Sequence, residues 1–139
     1  MMFIIQCSLI LTLLTAAVKS RTRCVRVRGI VSCVTNTNLA RNIQVTLYDR
    51  DDLPWETDDL MGKNITDANG SFFVEGCGYD FGFWNDPDPF ILITHGCPSS
   101  AQLSNHHLVS RKTMVKVRQT FLPDEMNIGE VRLDLEVEQ

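Results

Sequence analysis

The sequence predicts an all-β fold, an antiparallel β-sandwich of about seven strands. Three observations carry this prediction. Short runs with period-2 alternation recur along the chain, turn-forming residues separate them, and no stretch sustains a 3.6-residue apolar period over three turns.

The first run, Cys24 to Ser32, sets Val25, Val27, Gly29 and Val31 on one face and Arg26, Arg28 and Ile30 on the other. Cys33 falls on the valine side and should point inward. A polar turn, Thr35 to Arg41, leads to Asn42 to Arg50, where Ile43, Val45, Leu47 and Asp49 share a face. So short a link predicts that these two strands run antiparallel as neighbours. Asp49 to Asp59, rich in Asp and aperiodic, reads as an exposed loop.

Asn69-Gly70 lies between Lys63–Thr66 and Ser71–Glu75, with Phe72 and Val74 alternating toward one side. Asn-Gly suits a type I′ turn, which needs positive φ at both central residues, so a hairpin is expected here. Gly76 to Asn85 is a glycine- and aromatic-rich loop, closed by Asp86-Pro87-Asp88-Pro89, since paired prolines cannot continue a central strand. Phe90 to His95 is a short apolar strand. After a polar link, Val109 to Phe121 forms a long strand with one wet face. Ile128 to Val137 alternates Val131, Leu133, Leu135 and Val137 against Glu130, Arg132, Asp134 and Glu136.

The ends and the cysteines bound the rest. Residues 1–20 hold an apolar run from Phe3 to Val18 that closes on small residues, the pattern of a secretory signal peptide, although no Lys or Arg precedes it. The run is short for an uncleaved membrane anchor. Residues 21–139 then form one domain of about 119 residues, a secreted extracellular protein. The full chain has 13 basic and 17 acidic residues, net −4, and loss of Lys19 leaves 12 against 17, net −5. Bulk charge of this sign argues against generic binding to nucleic acid or to an anionic membrane. Cys24, Cys33, Cys77 and Cys97 remain in an oxidising compartment, enough for two disulfides in any of three pairings that spacing does not separate.

Catalytic and metal chemistry find little support. No cysteine is left free, no serine sits in a nucleophile elbow, and no cofactor motif occurs. His95, His106 and His107 read as one structural histidine and an exposed pair. Asp49, Asp51, Asp52, Asp58 and Asp59 lack calcium-loop spacing and read as turn caps; a weak calcium-dependent module with Asp86 or Asp88 is an alternative. Binding features are better represented. Phe81, Phe83 and Trp84, near Tyr79 and Trp55, form either an apolar contact surface or a plug for the core. Arg26 and Arg28, with Lys112, Lys116 and Arg118, lie on expected outward faces, and would make a cationic patch suited to phosphate headgroups or sulfated glycans if their strands are neighbours; otherwise they read as ordinary solvated strand faces with edge-protecting charges. Two sequons, Asn64-Ile65-Thr66 and Asn69-Gly70-Ser71, are acceptors for glycans. Asn64 is preferred on condition that its side chain faces solvent.

In order along the chain, VRGIVSC (Val27 to Cys33), IQVTLYDRD (Ile43 to Asp51), DDLM (Asp58 to Met61), TDANGSF (Thr66 to Phe72), DPFILITHGC (Asp88 to Cys97), RKTMVKV (Arg111 to Val117) and NIGEVRLDLE (Asn127 to Glu136) resemble the nematode transthyretin-like family. The resemblance implies a secreted transthyretin-type sandwich with Cys33 paired to Cys97. That leaves Cys24 for Cys77, a bridge the resemblance does not itself supply. Departures include Thr94 where the family often has Tyr, and Val117-Arg118 in place of Ile-Pro. The implied role is a non-enzymatic extracellular binding protein for a partner protein, lipid or small apolar ligand, with phospholipid-to-receptor bridging as in a relative its most specific form. The fold also hosts a 5-hydroxyisourate hydrolase. A degenerate hydrolase of that type is the contrasting reading, disfavoured because the first strand carries Arg26 and Arg28 but no His, and because the enzyme's terminal Tyr-Arg-Gly-Ser is replaced by Glu136-Val137-Glu138-Gln139.

Overall fold

The computed structural model describes residues 21–51, 56–80, 86–99 and 110–135. Seven strands occur there: β1 (Arg21–Ser32), β2 (Gln44–Asp49), β3 (Asp59–Ile65), β4 (Ser71–Asp80), β5 (Pro89–His95), β6 (Arg111–Lys116) and β7 (Met126–Arg132). A 3-10 turn, Thr37–Ala40, follows β1, with Asn36 capping it by accepting from the Asn38 N–H. The strands form a three-stranded sheet, β4-β1-β7, and a four-stranded sheet, β3-β2-β5-β6. Pairing is antiparallel except between β1 and β7, which is parallel.

The period-2 pattern of each strand decides what it buries. Val25, Val27 and Val31 from β1 meet Val45, Leu47, Ile91 and Ile93 from the other sheet, with Phe72, Val74 and Leu133 completing a continuous core. Asp49 shares the inward side as expected and is buried, its Oδ1 accepting from the Asp88 N–H.

Several connections differ from expectation. β1 and β2 are not neighbours but lie in opposite sheets, because the 3-10 turn carries the chain across the sandwich. β3 and β4 are likewise divided between the sheets, so they form no hairpin ladder. The turn between them closes over Asp67–Gly70, with the Gly70 N–H donating to the Asp67 carbonyl and the Asp67 side chain capping the Asn69 and Ser71 N–H groups. Gly70 takes a positive φ of 79°, whereas the one non-glycine at positive φ among the described residues is Asn42, so a type I′ turn is ruled out. β4 runs on to Asp80 and absorbs the start of the expected aromatic loop. β6 ends at Lys116, short of Phe121. The C-terminal alternation fails after Leu133: Asp134 is buried beside Arg132 and Leu135 is exposed. Within β7 a bulge opposite Gly29 shifts the register, with Gly129 at φ 69°.

Two contacts tie segments that are distant in sequence. A Cβ on Gly62 would strike the Glu75 carbonyl, and one on Gly76 would strike the Met61 carbonyl, so the backbones of β3 and β4 touch. Thr66 is buried and its hydroxyl donates to the Ala40 carbonyl (2.8 Å) while accepting from the Ile43 N–H (3.0 Å). Covalently, Cys33 is bonded to Cys97 inside the core, and Cys24 to Cys77 across β1 and β4. The second bridge lies on the solvent side of its sheet, Cys77 being exposed.

The expected signal peptide (residues 1–20), Asp52, Trp55, Phe81, Phe83, Trp84, His106 and His107 lie outside the described residues.

Candidate functional site

The two sheets present very different outer faces. On the three-stranded sheet, Arg26 stands opposite Glu75 and Arg28 opposite Phe73. Arg26 Nη2 is 2.6 Å from Glu75 Oε2, and Glu125 lies 3.9 Å from Arg26 and 3.7 Å from Arg28. Their charge is met by carboxylates at hand. Tyr79, Phe73 and Ile30 are exposed on the same face.

The four-stranded sheet directs a different set outward. Its ladders align Ile65 with Gln44, Thr94 and Lys112; Lys63 with Thr46, Leu92 and Met114; and Leu60 with Tyr48, Phe90 and Lys116. None of these positions carries a carboxylate. Tyr48 stacks on Phe90 with ring centroids 5.5 Å apart, and the Arg50 guanidinium lies 5.3 Å from the Phe90 centroid while its Nη2 reaches Met114 Sδ at 3.2 Å. Such an aromatic seat holds the Arg50 charge at the face, worth about 0.5–1 kcal/mol where exposed. Leu60, Ile65 and Met114 are exposed at 57%, 58% and 45%. Lys63, Lys112 and Lys116 are exposed too, and Arg118 follows two residues past Lys116, exposed as well. A groove of about 260 Å³ at this end is lined by Arg50, Phe90 and Lys116, with Asp88 at its rim.

The arrangement is therefore an apolar strip bordered by cations, within a chain whose net charge is −4. Arg26 and Arg28 are not joined to Lys112, Lys116 and Arg118, since β1 and β6 belong to different sheets. Lys63 and Arg50 take their place. Their outward parity is visible in the sequence, but the expected β3–β4 hairpin concealed that β3 borders β2.

Other candidates have structural roles. His95 is buried; its Nδ1 accepts from the Cys97 N–H (3.2 Å), which places the ring proton on Nε2, donating to Thr113 Oγ1 at 2.9 Å. Burial, and then the nearby Arg111 charge, hold its pKa below the ordinary imidazole value. Asp58 accepts from the Asp51 N–H as a turn cap, and among the described residues no group of three His, Cys, Asp or Glu is placed to hold a metal ion. Asn64 is half-buried and its Nδ2 donates to the Phe73 carbonyl at 2.7 Å, while Asn69 is exposed.

Comparison with known proteins gives a consistent picture. The model of the TTR-52 transthyretin-like family matches residues 28–117. Transthyretin-like protein 16 of Caenorhabditis elegans is 36% identical over 97 residues, covering 67% of this chain and 68% of that protein. Transthyretin-like protein 46 of the same organism is 30% identical over 92 residues, covering 66% of this chain and 48% of that protein. Among solved structures, a 9R-lipoxygenase from Cyanothece superposes on 91% of this chain and 20% of its own, with a TM-score of 0.50 at 18% identity, a likeness of fold alone. A 5-hydroxyisourate hydrolase from Klebsiella pneumoniae gives a TM-score of 0.40 at 9% identity over 78% of this chain and 90% of its own.

Proposed function

The chain belongs to the transthyretin-like family, and on that footing we propose that it is a secreted, non-enzymatic binding protein whose four-stranded sheet docks on anionic lipid headgroups. The observation that carries this reading is the outer face itself. Leu60, Ile65 and Met114 supply exposed apolar contact, and Lys63, Lys112 and Lys116 surround them with no carboxylate in the paired positions. Each cation near an anionic surface contributes about 1 kcal/mol, so these lysines with Arg50 and Arg118 would supply several kcal/mol, enough for reversible attachment.

The opposite face suits a second partner. Phe73 and Tyr79 are 60% and 69% exposed there, beside arginines whose charge is locally balanced, a surface fitted to a protein rather than a headgroup. Two such faces on opposite sides support a bridging role between lipid and receptor. The hydrolase alternative has weak support, because Arg26 and Arg28 on β1 are engaged by Glu75 and Glu125 and the described His95 is buried in a structural hydrogen-bond pair.

Vesicle sedimentation tests the reading. The protein should pellet with vesicles of phosphatidylserine in phosphatidylcholine and not with phosphatidylcholine alone, and Lys63→Glu/Lys112→Glu/Lys116→Glu should abolish pelleting while Arg26→Ala/Arg28→Ala retains it. Equal binding to both vesicle types, or loss in the arginine variant alone, would overturn it. Turnover of 5-hydroxyisourate by the purified protein would reinstate the hydrolase.

A further inference from the structure

Each sheet ends in two edge strands, and the four edges are not equally closed. β3 and β4 meet backbone to backbone at Gly62 and Gly76, and β7 is bulged where it pairs with β1. β6 is open. It contains no proline, and its pairing with β5 runs without a shift of register from Phe90–Lys116 to His95–Arg111. Just beyond that ladder the Val117 N–H donates to the Pro89 carbonyl at 3.1 Å, which fixes the phase of the hydrogen bonds. Antiparallel partners alternate between bonded and non-bonded pairs, so Arg111, Thr113 and Val115 bond to β5. Lys112, Met114 and Lys116 therefore turn their N–H and C=O groups away from β5, toward an edge where no strand among the described residues pairs with them. All three residues are exposed.

An edge of this kind accepts a further strand, and its side chains decide which one. Lys112 and Lys116 flank Met114 on the outer face, and the residues across from them on β5 are Thr94, Phe90 and Leu92, none of them acidic. A second copy of β6, set antiparallel so that all three residues engage, brings Lys112 opposite Lys116, and like charges directly opposite are destabilising. The edge rejects its own kind. A strand with carboxylates opposite the lysines and an apolar residue opposite Met114 makes every one of these pairs favourable. Its intervening side chains turn inward beside Thr113, which is buried, and Val115, which packs on the core, so apolar residues suit those positions.

We propose that β6 is a β-augmentation edge for an extended segment of a partner protein in which acidic and apolar residues alternate, of the pattern Glu-Val-Leu-Val-Glu. The segment lies antiparallel to β6, exchanges main-chain hydrogen bonds with Lys112, Met114 and Lys116, and sets its carboxylates against the two lysines. The lysines are shared with the outer face, so a bound strand covers part of it, but the proposal does not rest on docking to lipid.

The test uses the folded, disulfide-bonded protein without lipid and the peptide acetyl-Thr-Glu-Val-Leu-Val-Glu-Thr-amide, read by calorimetry and by amide hydrogen exchange. The peptide should bind saturably at one site and slow exchange at the amides of Lys112, Met114 and Lys116. The same peptide N-methylated on both Glu and on Leu keeps every charge and side chain but loses the donors aimed at the edge, and should bind about tenfold more weakly or worse. Met114→Pro removes an edge N–H without touching the β5 ladder and should also weaken binding, with an unchanged circular dichroism spectrum establishing that it folds. Lys112→Glu/Lys116→Glu should lose the peptide and gain its counterpart with Lys in place of both Glu. Equal binding of the N-methylated peptide, unchanged exchange at the three amides, or self-association of the protein through β6 would each overturn the assignment. Vesicle pelleting by a protein that ignores the peptide refutes this edge alone, and peptide binding by a protein that ignores vesicles upholds it while refuting the lipid reading.

Discussion

Replacing Thr66 with Val tests the claim that one hydroxyl fastens the end of β3 to the link that enters β2. Thr66 is 1% exposed, and its Oγ1 serves the Ala40 carbonyl and the Ile43 N–H at once. Valine keeps the β-branched shape and the volume, so packing is preserved and only the hydrogen bonds go. Two buried backbone groups are then left unpaired, each costing about 1–3 kcal/mol, which together gives about 3 kcal/mol. For a domain of this size about 1 kcal/mol moves Tm by roughly 4 °C, so the midpoint should fall by about 12 °C. Thr66→Ser is the control: it keeps the hydroxyl and deletes one buried methyl, with an expected cost of about 1 kcal/mol. Because Thr66 is also the third residue of the Asn64 sequon, all three proteins should be made without glycans and their disulfides verified by mass. Differential scanning calorimetry then reads the midpoints. If Thr66→Val melts no lower than Thr66→Ser, the hydroxyl is not the fastening described above.

Two further outcomes follow from the geometry. His95 has a folded-state pKa below its unfolded value, so its contribution to stability is complete above about pH 6.5 and is lost as pH falls through the folded-state pKa. His95→Gln should therefore flatten the acid limb of the stability curve below that pH, measured by urea unfolding at a series of pH values; an unchanged acid slope would count against a buried neutral imidazole. The two disulfides close loops of 53 and 64 residues, each worth about 4 kcal/mol by chain entropy. Cys33→Ala/Cys97→Ala should nonetheless cost more than Cys24→Ala/Cys77→Ala, since the former pair sits in the core and leaves a cavity, and dilute thiol should open the solvent-side Cys24–Cys77 bridge first. Equal urea midpoints for the two variants would contradict that ordering.

How much of this was legible in the sequence depends on what alternation can report. Period 2 says that one face of a strand is buried, and Val25, Val27, Val31, Val45, Leu47 and Val74 all lie where their parity placed them. It is silent about which sheet a strand joins. The pairing of β1 with β7, and the parting of β3 from β4, depend on the 3-10 turn at Thr37–Ala40 and on the Gly62–Gly76 approach, contacts between residues far apart in the chain. The candidate face suffered for that reason: Lys112 and Lys116 were identified with the right outward parity and given the wrong neighbours. Asp134 failed in another way, since its burial follows from the chain leaving β7 to pair with Arg132, where strand parity no longer applies.

The glycine contact between β3 and β4 has a consequence for how the molecule moves. Packed sheets ordinarily stand about 10 Å apart, yet at Gly62 and Gly76 no side chain separates the two backbones. The sandwich is therefore a wedge in cross-section, shut along one long side. On the other side the gap is spanned by Arg111, whose Nη1 donates to the carbonyls of Cys97 and Leu133. A wedge of this kind has its hinge at the glycines and its latch at the arginine. Amide protons of β6 and β7 are consequently the first to meet water when the layers part, and those beside the glycines the last.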